Sequence, residues 1–441
     1  MAAALRPQLY RAIWRWHFYA GLFVMPFILL LSVTGAIYLF KPQLDRWEER
    51  AFRELPPAPA VSPVAQVAAA RAAFPGARFD GYRVPEAAND AAAVHLALPD
   101  RTMRDVFVSP DGRVLGSIDP DARVSAVVSR IHGKLLIGRV GDWLVELAAS
   151  WAIVLIVTGL YLWWPQGKRL AGVVWPRRRA LLRDLHAVTG FWVSGLALVT
   201  LASGLPWAGV WGSSLKLVRE ELGLMRGRPD WKIGAEANEH AGHDHRAMAA
   251  AAPPPSSLAL LPAMVAHARA ERLAFPALVL PPGAPQRFAA PSAGWTVKSE
   301  AQNRTLVRFV SYDAGGREVG RTGFADKHPI DRLINYGVSW HEGQLFGWMN
   351  QLVGVLTAAA LIAMAVTSFL LWQRRRPDGV LGAPPPPRDG AARGVALIVL
   401  ALCLLLPMLA LSLAAVLLAE RLLLRRLPAT SRWLGLRTVS A

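Results

Sequence analysis

Five long apolar runs constrain this chain more than any other feature: each can cross the roughly 30 Å hydrocarbon core of a bilayer as one helix. They are Phe18–Phe40, Trp143–Trp164, Ala187–Val210, Trp348–Trp372 and Val395–Ala419. The first exceeds the core of a signal peptide and no small-residue cleavage site follows it, so it reads as a retained span. Trp14, Trp16, Trp143, Trp163, Trp164, Trp348 and Trp372 stand at span ends, as interfacial anchors do. Of 441 residues, 53% are hydrophobic and only 18% charged. Soluble domains average nearer a quarter charged, so a wholly soluble enzyme and a disordered chain are both disfavoured.

The formal net charge of +18 would suit a nucleic-acid binder if it were clustered in a soluble domain. Here much of it flanks the spans and reads as topology instead. Arg6, Arg11 and Arg15 precede the first span. Lys168, Arg169, Arg177, Arg178, Arg179 and Arg183 join the second and third, and Arg374, Arg375, Arg376, Arg388 and Arg393 join the fourth and fifth. These segments share one side, taken as the inside, and the loops 41–142 and 211–347 lie outside. A fifth span read as a single crossing leaves Arg421, Arg425 and Arg426 on the outside, against that rule. The single cysteine, Cys403, excludes an internal disulfide, a Cys-based zinc site and a C-x-x-C-H haem attachment.

Each external loop reads as a small α+β domain, over residues 55–125 and 212–330. In the first, a helix Val64–Phe74 precedes strands near Arg78–Val84, Ala92–Leu98, Asp105–Ser109 and Arg113–Ile118, with Pro110-Asp111-Gly112 as the last hairpin turn. In the second, a helix Leu258–Arg269 precedes strands at Ala277–Leu280, Trp295–Ser299, Leu306–Ser311 and Arg317–Arg321, with Asp313, Gly315 and Gly316 at the turn. The order therefore repeats, and the repeat runs on into the membrane. His132 and His341 each have glycine six residues later, threonine at plus 26 and tryptophan at plus 31. His17 and His186 each have glycine at plus four and plus 18. The expected fold is an α-helical integral membrane bundle of about five transmembrane helices, with two small α+β extracytoplasmic domains and an internal two-fold repeat.

His17 and His186 head the two outward-going spans, and His132 and His341 precede the two inward-going ones. The repeat thus supplies two histidines at each membrane surface. One such histidine is most simply an amphipathic end residue. Four at equivalent positions point to a site. Two imidazoles facing each other in a helical bundle suit the axial positions of a low-spin haem b, so two bis-histidine haems are expected, one on His17 and His186 and one on His132 and His341. Gly21, Gly35, Gly190, Ser203 and Gly204 would admit the ring, and Arg15, Lys134 or Arg183 would meet its propionates. Zinc is less apt, because no carboxylate or thiol recurs at both levels.

The run Trp14-Arg15-Trp16-His17-Phe18-Tyr19-Ala20-Gly21, the Ser32-Val33-Thr34-Gly35 motif and the His132 and His341 segments resemble the PepSY-associated transmembrane (PepSY-TM) family over about residues 9–375. That family includes iron-regulated inner-membrane proteins and ferric-siderophore reductases. The resemblance implies a PepSY-like fold for each external domain, haem ligation at His17, His132, His186 and His341, and reduction of imported Fe(III)–siderophore in the periplasm. It also implies a bacterial inner-membrane location, in which the Lys and Arg distribution puts the N-terminus on the cytoplasmic side.

No dinucleotide fingerprint, Walker motif or suggestive Ser/His/Asp order is present, and no catalytic side chain stands out. Electrons would come from a quinol or a separate reductase. The expected partners are a ferric siderophore, membrane lipid and that donor, with no nucleic acid. The alternative is a non-redox protein whose PepSY-like domains bind or regulate a peptide or protease. His240-Ala241-Gly242-His243-Asp244-His245 reads as a low-complexity insert with incidental metal affinity. His95, His267 and His328 lack repeat partners and read as structural.

Overall fold

A computed structural model describes residues 2–164, 174–177, 181–224, 255–284, 292–386 and 392–436. In chain order its helices are α1 (Ala2–Tyr38), α2 (Lys41–Glu48), α3 (Pro63–Ala73), α4 (Val124–Lys134), α5 (Arg139–Trp163), α6 (Leu181–Gly204), α7 (Gly209–Glu221), α8 (Leu261–Ala270), α9 (Pro329–His341), α10 (Trp348–Arg375), α11 (Ala392–Leu405), α12 (Pro407–Leu422) and α13 (Pro428–Leu434). Its strands are β1 (Arg78–Arg83), β2 (Ala92–Ala97), β3 (Met103–Val108), β4 (Val114–Ile118), β5 (Ala277–Leu280), β6 (Thr296–Ser299), β7 (Phe309–Tyr312) and β8 (Glu318–Thr322). The chain divides into two units. One comprises Met1–Ala36, Ile131–Leu215 and Leu352–Ala441, and the other Ile37–Arg130 and Lys216–Gln351. The His240–His245 insert lies outside the described residues.

Among the described residues, five helical stretches are long and apolar enough to cross a membrane: Gln8–Tyr38, Arg139–Trp163, Leu181–Trp207, Trp348–Arg375 and Pro407–Arg426. The chain is a multi-pass membrane protein. In the first unit α1 packs on α5 through Trp16 and Trp151, stacked with ring centres 5.9 Å apart, and the buried Ala20, Val24 and Ala152 extend that contact. Small side chains on the seam let the backbones close up, which drives helix association where lipid is as apolar as the protein.

The fifth apolar run, expected as a single crossing over Val395–Ala419, is broken at Leu406 (φ −126°, ψ 88°), and Pro407 opens α12. Pro407 lacks an N–H and fits the first turn of the new helix. The Trp151 indole N–H donates to Ser412 Oγ (3.1 Å) and that of Trp211 to Leu405 O (2.9 Å). The two ends of the excursion meet again at α1. The Arg15 guanidinium donates to Pro384 O, before α11, at 2.5 Å and to Gly435 O, after α13, at 2.7 Å. The 14 residues of α11 and 16 of α12 would carry the chain about 45 Å if they ran in one direction. They turn back instead. The run is thus two helices rather than the one expected, and Arg421, Arg425 and Arg426 return toward the end of the bundle that holds Arg15.

In the second unit all eight strands form one antiparallel sheet, ordered β4-β3-β2-β1-β5-β6-β7-β8. The sequence divides this region into two domains, yet β1 pairs with β5, with Tyr82 opposite Val279 and Arg83 opposite Leu278. Among the described residues, pairing the two inner edges leaves only β4 and β8 as free edges, and buried Val94, Leu96, Val106, Val279 and Val297 sit under α3 and α8. Each such aliphatic side chain contributes roughly 1.5–3 kcal/mol relative to exposure. The predicted hairpin turns form where expected, with Gly112 at φ +88° and Gly316 at φ +80°, a backbone region that favours glycine.

Candidate functional site

His17 lies on α1 and His186 on α6, both in the first unit. Their ring centres are 6.4 Å apart and the planes are inclined at 78°. An imidazole–metal bond is about 2 Å and the ring centre lies about 1 Å behind the ligating nitrogen, so two rings sharing one metal from opposite sides have centres about 6 Å apart. The observed separation matches that spacing.

The Nδ1 edge of each ring is also organised. His17 Nδ1 is 3.0 Å from Thr158 Oγ1 on α5. The Thr158 hydroxyl donates to Val154 O (2.7 Å), within its own helix. His186 Nδ1 is 3.3 Å from Met364 O and 3.1 Å from Ser368 Oγ, both on α10. A carbonyl oxygen only accepts, so Nδ1 of His186 carries the proton and Nε2 keeps its lone pair. Metal-bound histidines are commonly held this way, donating the other ring N–H to a fixed acceptor. The donor set therefore fits a haem iron taken between His17 and His186.

His132 sits near the C-terminal end of α4, with Nδ1 2.9 Å from Thr34 Oγ1 on α1. The Thr34 hydroxyl likewise donates to its own helix, at Leu30 O (2.8 Å). Thr34 and His17 are 17 positions apart on one helix, or about 25 Å along its axis. The first unit thus carries histidines at two well-separated levels. His341 is the last residue of α9 and belongs to the second unit.

Glycine beside the histidine partners has a steric role. A Cβ on Gly159 would stand 3.1 Å from His17 Cε1, and one on Gly35 would stand 3.2 Å from His132 Cε1. Gly35 was among the glycines singled out in the sequence, whereas Gly159 and the acceptors Thr34, Thr158 and Ser368 were not assigned this task. The available signal was a recurring dipeptide: Thr34-Gly35, Thr158-Gly159, Ser203-Gly204 and Thr367-Ser368. Gly21 and Gly190 face Leu155 and Met364 instead. Arg15, offered for a propionate, is engaged by the two backbone carbonyls that anchor the C-terminal excursion.

A buried carboxylate also escaped the sequence reading. Glu146, about two turns inside α5 and 2% exposed, accepts the backbone N–H groups of Val210 (2.8 Å) and Trp211 (3.0 Å) at the start of α7. It caps a helix whose first N–H groups have no partner within the helix. The three histidines without repeat partners do structural work. His95 bonds Asp105 at 2.6 Å, His267 stacks on Tyr312, and His328 Nδ1 accepts from Ile330 N at the head of α9.

The family model described as PepSY-associated TM region matches residues 14–375, which include all four repeat histidines. No curated protein matches the chain.

Proposed function

The chain belongs to the PepSY-associated TM family, and from that premise we propose that it is a bacterial inner-membrane dihaem b electron-transfer protein that reduces ferric siderophore in the periplasm. The observation that carries the proposal is the His17–His186 pair, spaced for one shared metal, with His186 Nδ1 already bonded to a carbonyl. Haem bound there would supply one-electron transfer through the apolar bundle. The sequence repeat extends the reading to a second haem on His132 and His341, at the other level.

The chain's own groups have three tasks in this scheme. His17 and His186 take the metal from two helices, so that binding also ties α1 to α6. Thr158, Met364 and Ser368 hold the imidazoles. With the N-terminus cytoplasmic, His17 and His186 would hold the group that accepts electrons from a quinol or a separate reductase, and His132 would stand at the level where a ferric chelate is reduced. Each chelated Fe(III) takes one electron and becomes Fe(II), whose weaker hold on hard oxygen ligands releases it with no bond of the chelator broken. A quinol donor would serve two such events and shed two protons.

The test is the absorption and electron paramagnetic resonance spectrum of protein purified with haem supplied. The expected result is a low-spin b-type spectrum with about two haems per chain. His17→Ala and His186→Ala should each alter one haem and leave the other low-spin. A wild type that binds no haem would refute the proposal and favour a peptide- or protease-binding protein. Variants with the unaltered wild-type spectrum would remove His17 and His186 as ligands.

A further inference from the structure

Threonine within a helix commonly returns its hydroxyl proton to the carbonyl four residues back. Thr357 does this, donating to Val353 O at 2.8 Å. Thr158 and Thr34 make the same bond, to Val154 O and Leu30 O, and each also has an imidazole nitrogen within hydrogen-bond distance. A hydroxyl has one proton. Once it is given to the helix, the oxygen faces the histidine as an acceptor, and the imidazole must be the donor. His17 and His132 are thereby held with the proton on Nδ1.

The third case reaches the same end differently. In the repeat, Thr367-Ser368 occupies the place of Thr158-Gly159. Thr367 gives its proton to Ala363 O (2.8 Å), while Ser368 Oγ and Met364 O approach His186 Nδ1. At the two glycine-bearing seats a methyl group would press on Cε1, the ring atom between the two nitrogens. The hydroxyl sets the ring's proton and the glycine sets its distance from the helix.

We propose that Thr34 and Thr158 are positioning residues, each forming an imidazole seat that holds its histidine as the Nδ1–H tautomer with the Nε2 lone pair kept for a metal, as the Met364 carbonyl does for His186. The purpose assigned to the seats rests on the haem reading. Their effect on the rings does not, because the hydrogen bonds exist in the protein alone. A histidine free to change tautomer would spend part of its time with Nε2 protonated and unable to ligate. Groups in this relation to a metal ligand typically change metal affinity about 10–100-fold when removed.

The experiment is nitrogen-15 magnetic resonance of histidine-labelled, haem-free full-length protein in detergent, followed by haem titration of the same samples. His17→Ala and His132→Ala assign the signals. In the wild type, His17 and His132 should show protonated Nδ1 and bare Nε2. Thr158→Val should give His17 a mixture of both tautomers and weaken haem binding about 10–100-fold. Thr158→Ser should restore both, and Thr357→Val should change neither. Thr34→Val applies the same test to His132 should Thr158→Val not fold. The proposal is overturned if Thr158→Val leaves the His17 tautomer unchanged, or if Thr357→Val shifts it equally. A tautomer that responds in a protein that never binds haem would keep the seats and remove the haem reading. Normal haem binding with an unresponsive tautomer would do the reverse.

Discussion

Arg123 offers the sharpest test of what holds the sheet unit together. It stands just before α4 and is 7% exposed. Its Nη2 donates to Glu49 Oε1 at 2.7 Å and to Asp105 Oδ2 at 3.1 Å. Arg83 on β1 pairs with the same Glu49 (2.9 and 2.8 Å), and His95 on β2 bonds the other oxygen of Asp105. One guanidinium therefore ties the segment after α2 to β3, with β1 and β2 held at second remove. Arg123→Ala would leave Glu49 to Arg83 alone and Asp105 to His95 and the more distant Arg83. Removing one partner from a buried ion pair costs about 3–5 kcal/mol, because the remaining charge is stranded in low dielectric. For a domain of this size each kcal/mol shifts melting by about 2–4 °C, so a drop of about 6–20 °C is expected.

The pH dependence gives that figure a second, independent check. Burial opposes ionisation of Asp105, but His95, then Arg123 and Arg83, outweigh it and hold the carboxyl well below the usual carboxylate range. A folded value below the unfolded one, about 3.9 for Asp, contributes stability that is present above that value and lost as the pH falls through the folded one. The wild type should therefore weaken only in acid below about pH 4. In Arg123→Ala the stranded carboxylate is relieved by protonation, so the gap from the wild type should be widest near pH 7 and narrow toward pH 4. The assay is thermal unfolding of the full chain in detergent across that range. Glu49→Gln/Asp105→Asn/Arg83→Met/Arg123→Met, which removes the charged partners together, should recover most of the loss. A single variant within about 1 kcal/mol of the wild type, or a gap that widens in acid, would refute the reasoning.

Glu146→Ala should lower the melting temperature by withdrawing two charge-assisted bonds from the head of α7, each worth about 1.5–3 kcal/mol. Glu146→Gln should cost less, and an unchanged melt in the Ala variant would show that the cap contributes nothing. The returning C-terminal excursion predicts that Thr430→Cys and Arg11→Cys, each in a Cys403→Ser background, react with an impermeant maleimide from the same face of sealed vesicles. Labelling from opposite faces would restore the single crossing.

The elements of the sheet unit were legible because strands and turns announce themselves locally. Alternation along Ala92–Leu98, Gly112 and Gly316 at the turns and the repeated helix-then-strands order each depend on a few neighbouring residues. The pairing of β1 with β5 was not legible. Both strands are nearly continuous in burial, and nothing in Tyr82-Arg83 or Leu278-Val279 tells a central strand from an edge covered by something else. The Arg123 network was hidden for a similar reason: Glu49, Arg83, Asp105 and Arg123 are ordinary surface residue types until long-range pairing buries them.

The membrane unit divides along the same line. Hydropathy reports the length and polarity of a segment, and on those grounds four spans were located, the first beginning at Gln8 rather than Phe18. It carries no direction, so a 25-residue apolar run with a proline in the middle reads alike as a kinked crossing and as a turn back. Only the surplus of arginines at Arg421, Arg425 and Arg426 signalled the error, and Arg15 shows how it resolves. The histidines stand out in the sequence because the repeat multiplies one weak signal by four. Their seats were missed because Thr-Gly is unremarkable in any one apolar helix. It acquires meaning when the helix beside it presents an imidazole at that height, as α1 does for Thr158-Gly159 and α4 for Thr34-Gly35. The hydroxyl that meets each of these histidines lies on a different helix, so no local stretch of sequence displays the pair.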